Sequence, residues 1–165
     1  MEKKIKAGKH RAWPPSVGLF WNCREFHRLI IFDESWKYQV DANHHINKLF
    51  GVGYVNGGHH KDSARFGCRY APARDKIEIF SYCYISGLRR EKLLCIVRFN
   101  TPYYFKLKVI EDAYQFEVSE RKDAHDIVKY WQPYRHKKKL QYPLGIYFGG
   151  EQTAPHDILT DIRKV

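Results

Sequence analysis

Residues 103–109, Tyr-Tyr-Phe-Lys-Leu-Lys-Val, and residues 113–119, Ala-Tyr-Gln-Phe-Glu-Val-Ser, decide how this chain folds. Tyr103, Phe105, Leu107 and Val109 alternate with Tyr104, Lys106 and Lys108. Past the polar Glu111-Asp112, the residues Tyr114, Phe116 and Val118 alternate with Gln115 and Glu117. A period of two is the mark of a strand that buries one face. Matching the apolar faces pairs Val109 with Tyr114, Leu107 with Phe116 and Phe105 with Val118. The same register sets Lys106 opposite Glu117, a favourable cross-strand pair. Two independent clues therefore predict one antiparallel hairpin.

Working outward, Lys76–Ile85 alternates again, with Ile77, Ile79, Ser81, Cys83 and Ile85 on one face and Phe80, Tyr82 and Tyr84 on the other. Gly87 with Arg89-Arg90 marks a turn, and Lys92–Asn100 reads as the return strand. A turn centred near Arg89 sets Ile85 against Leu93, Cys83 against Cys95 and Ile79 against Phe99, which leaves room for an adventitious Cys83–Cys95 disulfide. Further strands are read over Phe26–Phe32, Val52–Val55 and Ser63–Tyr70, with a last one carrying Ile158 and Ile162. Asn56-Gly57-Gly58 reads as a tight turn. Asn43 would cap a single helical turn in which Ile46, Leu49 and Phe50 share a face, ended by Gly51. Asp123–Trp131 carries helical spacing at Ala124, Ile127, Val128 and Trp131, with Pro133 as its stop. A strand through residues 126–130 is the rival there. The class is all-β: an antiparallel β-sandwich with at most one or two short helices.

The composition agrees. In 165 residues, 44% are hydrophobic and 16% aromatic, enough for one domain with a real core and a bias toward pleated surfaces. Collagen, coiled coil, membrane span and disordered tail are excluded. Lys and Arg number 29 against 18 Asp and Glu, a formal charge of +11 that favours encounter with polyanions. Residues 1–15 hold Lys3, Lys4, Lys6, Lys9 and Arg11 against Glu2 and close on Pro14-Pro15, so they read as a mobile basic arm. Residues 16–165 read as a single sandwich domain. The start lacks the apolar run of a signal peptide, which points to the cytoplasm of a bacterial host, or to a virion, and to no membrane association. Cys23, Cys68, Cys83 and Cys95 show no C-x-x-C pairing, so neither a zinc site nor a cofactor is expected.

Two stretches carry a resemblance. Tyr147-Phe148-Gly149-Gly150, followed by Thr153-Ala154-Pro155-His156-Asp157-Ile158, resembles the closing strand pair of concanavalin-like jelly rolls, a superfamily of lectin-like modules and of alginate and glucuronan lyases. Asn47-Lys48-Leu49-Phe50-Gly51, then His59-His60 and Ser63-Ala64-Arg65-Phe66-Gly67-Cys68-Arg69, resembles an uncharacterised family of phages and mobile elements of gut-type bacteria. The lyase resemblance implies β-elimination on a uronic-acid polymer. Arg65 and Arg69 would then neutralise the carboxylate, His59 or His60 would be the base, and Tyr82 or Tyr84 the acid. The Gln-and-His strand pattern typical of alginate lyases is absent.

Three constellations remain. His44-His45 and His59-His60 are imidazole pairs, but neighbours on a strand face opposite ways, so a metal would need both pairs plus Asp41 or Asp62. Phe80, Tyr82 and Tyr84, with Arg98 expected beside them, form an aromatic shelf suited to stacking on sugars or bases. Arg135, Lys137, Lys138 and Lys139, with His136 between them, form a basic run. Together with Lys3, Lys4 and Lys6 it would contact phosphates. The reading is a non-enzymatic binding module, carried by a phage or mobile element. It would hold RNA or a nucleoprotein, such as a host RNA-guided defence complex, through the basic residues. The alternative is a glycan, as in a virion-associated carbohydrate-binding protein, held through Arg65, Arg69, Phe80, Tyr82, Tyr84, Arg98, His59 and His60. A polysaccharide lyase is the enzymatic alternative.

Overall fold

The computed structural model describes residues 2–39, 46–121, 128–134 and 140–165. Two antiparallel six-stranded sheets face each other. The strands are β1 (Glu2–Ile5), β2 (Phe20–Trp21), β3 (Glu25–Phe32), β4 (Asn47–Tyr54), β5 (Ser63–Ala71), β6 (Lys76–Ile85), β7 (Leu88–Val97), β8 (Tyr103–Val109), β9 (Ala113–Ser119), β10 (Val128–Pro133), β11 (Leu140–Leu144) and β12 (Ile158–Lys164). The first sheet runs β1-β12-β3-β8-β9-β10 and the second β2-β11-β4-β5-β6-β7. Glu34–Trp36 and Pro72–Arg74 are single 3-10 turns. The β-sandwich read from the sequence is the observed architecture.

The β8–β9 hairpin has the predicted register, with Leu107 facing Phe116 and Lys106 bridging to Glu117 at 3.2 Å. Its inward residues meet the second sheet through aromatic rings. Phe66 on β5 lies 5.1 Å from Phe105 and 5.0 Å from Phe116, both edge-on, with Phe50 of β4 at 5.3 Å. Edge-to-face contact suits the ring quadrupoles and adds to the area buried.

The first hairpin forms, but its register is corrected. The turn is Ser86-Gly87, both at positive φ (52° and 82°), the two-residue turn that matches strand twist. Arg89 and Arg90 therefore lie in β7, Ile85 faces Leu88, Cys83 faces Arg90 and Ile79 faces Cys95. A bulge between Ile79 and Phe80 restores the inward face. Cys83 and Cys95 are not partners, and both are free thiols.

Three other expectations change. Glu2–Ile5 pairs with β12, Ile5 and Ala12 are buried, and Lys4 bridges back to Trp13, so the basic start belongs to the sandwich rather than standing off as an arm. Asn47–Tyr54 is strand throughout, so no helical turn runs from Ile46 to Gly51, while Asn43 lies outside the described residues. Val128–Pro133 is strand, paired with β9, so this part of the expected Asp123–Trp131 helix is replaced by its rival. Val128 and Tyr130 pack on the core while Trp131 is exposed. Residues 123–127 lie outside the described residues.

Leu107 and Phe116 are fully buried. Leu107→Ala should lower the unfolding free energy in urea by about 2–5 kcal/mol, the range for buried leucine truncation. A loss within measurement error would mean that Leu107 does not pack between the sheets.

Candidate functional site

Strand parity builds the outer face of the second sheet. Because Ala64, Phe66 and Cys68 point into the core, Ser63, Arg65, Gly67 and Arg69 point out. On β6 the outward residues are Glu78, Phe80, Tyr82 and Tyr84, and the register sets Arg65 beside Tyr82, Gly67 beside Phe80 and Arg69 beside Glu78. On β4 a bulge between Lys48 and Phe50 inverts the parity, turning Lys48 out and Phe50 in. Glycines lower the floor so that larger groups can lie on it. A Cβ on Gly53 would stand 2.8 Å from the Tyr142 ring, and one on Gly67 would stand 2.4 Å from Ile46.

One end of this face is closed. Ile46 sits with Phe80 and Tyr82 in a small buried cluster. Arg69 lies over the Phe80 ring at 5.0 Å and is tied to Glu78, Nε to Oε2 at 2.8 Å and Nη2 to Oε2 at 2.6 Å. Arg69 and Phe80 are thus engaged with Glu78, Ile46 and each other. Arg98 is placed elsewhere altogether: it pairs with Glu120 at 3.1 Å, while Leu93, Glu91 and Arg89 are the neighbours of Phe80, Tyr82 and Tyr84.

The other end is open and cationic. A cavity of about 270 Å³ is lined by Arg11, His59, Arg65, Tyr142 and Tyr147, among others. Arg65 is 8% exposed, and its Nε is buried with no hydrogen-bond partner among the described residues. Burial lowers the pKa of its guanidinium, and the nearby phenols of Tyr82, Tyr142 and Tyr84 raise it. A guanidinium nonetheless stays protonated, so the site holds a dry positive charge. Lys48 lies 4.9 Å over the Tyr82 ring and 5.9 Å from Tyr147, and its Nζ donates to the Gly149 carbonyl at 3.2 Å. Burial, followed by the charge of Arg65, lowers its pKa to about 8. His59 is lowered to about 4 by burial and then by Arg65, His60 and Arg11, which leaves it neutral at pH 7. Its Nδ1 lies 3.4 Å from the Tyr142 hydroxyl. His60 packs against His59 at 4.2 Å and edge-on to Tyr84 at 5.2 Å. Burial pushes Tyr82 up to about 12.

So Arg65, Tyr82, Tyr84, His59 and His60 are brought together, whereas Arg69, Phe80 and Arg98 are not part of the open end. Sequence reading missed Lys48, Tyr142, Tyr147 and Arg11. The β4 bulge hides Lys48 from any period-two pattern, and the other three arrive through long-range pairing of Arg11 and Lys48 with Tyr147, and of Tyr142 with Gly53.

The basic candidates fare differently again. Lys3 turns inward and Lys4 pairs with Asp157, while Lys6 is exposed. Arg135, Lys137, Lys138 and Lys139 lie outside the described residues, as do Asp41, His44 and His45. Among the described residues, no three His, Cys, Asp or Glu side chains gather as a metal site would require. The buried Asp62 accepts from the Ser86 amide at 2.9 Å and ties the β6–β7 turn to the loop before β5.

Comparison with known proteins bears on the fold. No protein-family model matches the sequence, and no curated protein matches it. Solved structures do match in shape. A functionally unknown protein from Saccharomyces cerevisiae superposes with a TM-score of 0.56 at 8% identity, over 90% of this chain and 73% of that one. An alginate lyase from Pseudomonas aeruginosa gives 0.56 at 8% identity, over 88% of this chain and 68% of that one. An alginate lyase from Klebsiella pneumoniae gives 0.51 at 8% identity, over 92% of this chain and 61% of that one. At such identity the likeness is one of fold alone: two antiparallel sheets stacked as a β-sandwich.

Proposed function

We propose that the open end of the second sheet binds an acidic glycan, a polymer bearing uronic-acid carboxylates. Arg65 carries this reading: a nearly buried guanidinium with an unpartnered Nε, ringed by phenols, and without an ion pair among the described residues. A guanidinium fork matches a carboxylate in two parallel hydrogen bonds, and removal from water strengthens them. Tyr82, Tyr84, Tyr142 and Tyr147 offer ring faces to the apolar faces of sugars. Lys48 and Arg11 supply further positive charge for the next carboxylates along a chain. Two of the structures that share the fold are alginate lyases, in keeping with an acidic polysaccharide. The neutral His59 beside the Tyr142 hydroxyl favours a second reading, β-elimination. His59 would take the C5 proton, the electron pair would form the C4–C5 double bond, and the glycosidic oxygen would leave with a proton from Tyr142.

Calorimetric titration with an oligouronate, a neutral oligosaccharide of equal length and a single-stranded RNA separates the ligands. The oligouronate should bind, the neutral sugar should not, and Arg65→Met should weaken binding about tenfold or more. Preferred RNA binding that survives Arg65→Met would overturn the glycan reading and return the partner to the phage-type nucleic-acid binder. Release of unsaturated, ultraviolet-absorbing ends from the polymer would replace simple binding with lyase action.

The same site predicts a pH dependence. Lys48 is charged below about 8 and loses its proton above it, whereas His59 is already neutral and Tyr82 still protonated in that range. Affinity for the oligouronate should therefore fall between pH 7 and pH 9. Lys48→Met should flatten that fall. An equal fall in both proteins would remove Lys48 from the binding charge.

A further inference from the structure

A second cavity, of about 280 Å³, lies between the sheets, at the end where β1, β12 and β3 face β11 and β4. Phe20, Phe26, Leu49, Phe50, Ile146 and Ile162 give it apolar walls. Lys3, Arg28 and Lys164 also line it, and strand parity explains why. Lys3 is two residues before the buried Ile5, Arg28 stands between the buried Phe26 and Ile30, and Lys164 is two residues after the buried Ile162. Each occupies an inward position, where an apolar residue would be the ordinary choice.

Among the described residues these cations meet one another rather than a carboxylate. Arg28 and Lys164 are direct partners across the β3–β12 ladder, and like charges directly opposite are destabilising. Lys3 is 8% exposed and donates to the Pro14 carbonyl, while Arg28 donates to its neighbour's carbonyl, that of His27, at 2.6 Å. The Arg28 guanidinium lies 5.5 Å over the Phe50 ring. Among the described residues none of the three forms an ion pair with a carboxylate. Burial lowers the pKa of both Lys3 and Arg28, and the charge of Arg28 lowers that of Lys3 further. Val17, which also lines the cavity, is 81% exposed.

We propose that this cavity is a second ligand site, for a single-chain amphipathic anion. The carboxylate head would lie among Lys3, Arg28 and Lys164, and the aliphatic tail along Phe26, Phe50 and Ile162. Its volume falls just below the range of about 300–1,000 Å³ for drug-sized ligands, which suits one short chain and excludes a two-chain lipid. The site adjoins the glycan groove and is told apart from it by its own cations. The two cavities share Lys3, Pro15, Ser16, Pro143, Leu144 and Ile146, but Arg28 and Lys164 line only the inner one, and Arg65 and His59 only the outer one.

Sodium decanoate below its micelle concentration is the probe, with decanol as the neutral chain and acetate as the bare head. Decanoate should raise the melting temperature of the whole chain and bind in calorimetry with one-to-one stoichiometry, and neither decanol nor acetate should match it. Arg28→Met keeps the apolar stem and should weaken decanoate about tenfold or more. Should that variant fail to fold, Lys164→Met at the exposed end of β12 should weaken it in the same direction. No melting shift with decanoate, equal binding of decanol, or undiminished binding by the folded variants would each overturn the proposal.

Discussion

The ring of Phe66 between the sheets is the contact on which the rest depends. It touches Phe50 on its own sheet and Phe105 and Phe116 on the other, all within 5.3 Å between centroids. A strand has two faces and no third, so the residue that buries Phe66 must also turn Arg65 and Gly67 outward. A slip of one residue in β5 would place a guanidinium in the aromatic core and a phenylalanine in water. Hydrophobic burial in the core thus holds the charged site in register, and the site needs no separate device to fix its orientation.

What the core cannot supply is room on the outer face, and three glycines supply it. Gly51 is required by closeness: a Cβ there would stand 2.0 Å from the Ala64 carbonyl oxygen, which no side-chain movement relieves. Gly53 lets the Tyr142 ring lie flat against β4, and Gly67 lets Ile46 close the far end. The result is a groove blocked at one end by Ile46 and the Arg69–Glu78 pair and open at the other around Arg65. Glycine weakens a strand interior, and its use here marks a place where a ring or another backbone must approach the sheet.

Sequence reading succeeded where two signals coincided and failed where a single signal was ambiguous. In the β8–β9 hairpin, apolar matching and the Lys106–Glu117 pair chose the same register. In the β6–β7 hairpin, apolar matching stood alone, and it was misled because β7 extends past the core to the exposed Leu88, Arg89 and Arg90. Val128-Lys129-Tyr130-Trp131 satisfies both periods over so short a span, and pairing with β9 decided for strand. Arg65, Tyr82 and Tyr84 were legible as members of one outer face because local alternation alone places them there. Lys48 was not, since the extra residue at the β4 bulge breaks that alternation. Tyr142 and Arg11 join the site through contacts with Gly53 and Tyr147 that no local pattern encodes.

The placement of charge argues that the +11 is not a uniform solubilising coat. On the outer face of the first sheet, cations come with carboxylates: Lys106 and Lys129 share Glu117, and Lys108 reaches toward Glu25. Arg98 has Glu120, and Arg69 has Glu78. Arg65, Lys48, Lys3 and Arg28 are more deeply placed than the exposed Arg98 and Lys129, yet among the described residues they have carbonyls and rings but no such ion pair. Desolvating an uncompensated cation costs several kcal/mol even after relaxation, and the three cations at 8% exposure, Lys3, Lys48 and Arg65, have no carboxylate partner among the described residues. Such a pattern is unfavourable for the empty protein and favourable for a filled one, because an anion that binds only the folded state returns that free energy through mass action. The physical asymmetry between the two sheets is therefore one of completeness: on the outer face of the first, the cations named have carboxylates beside them, while the groove and the interior end have none among the described residues.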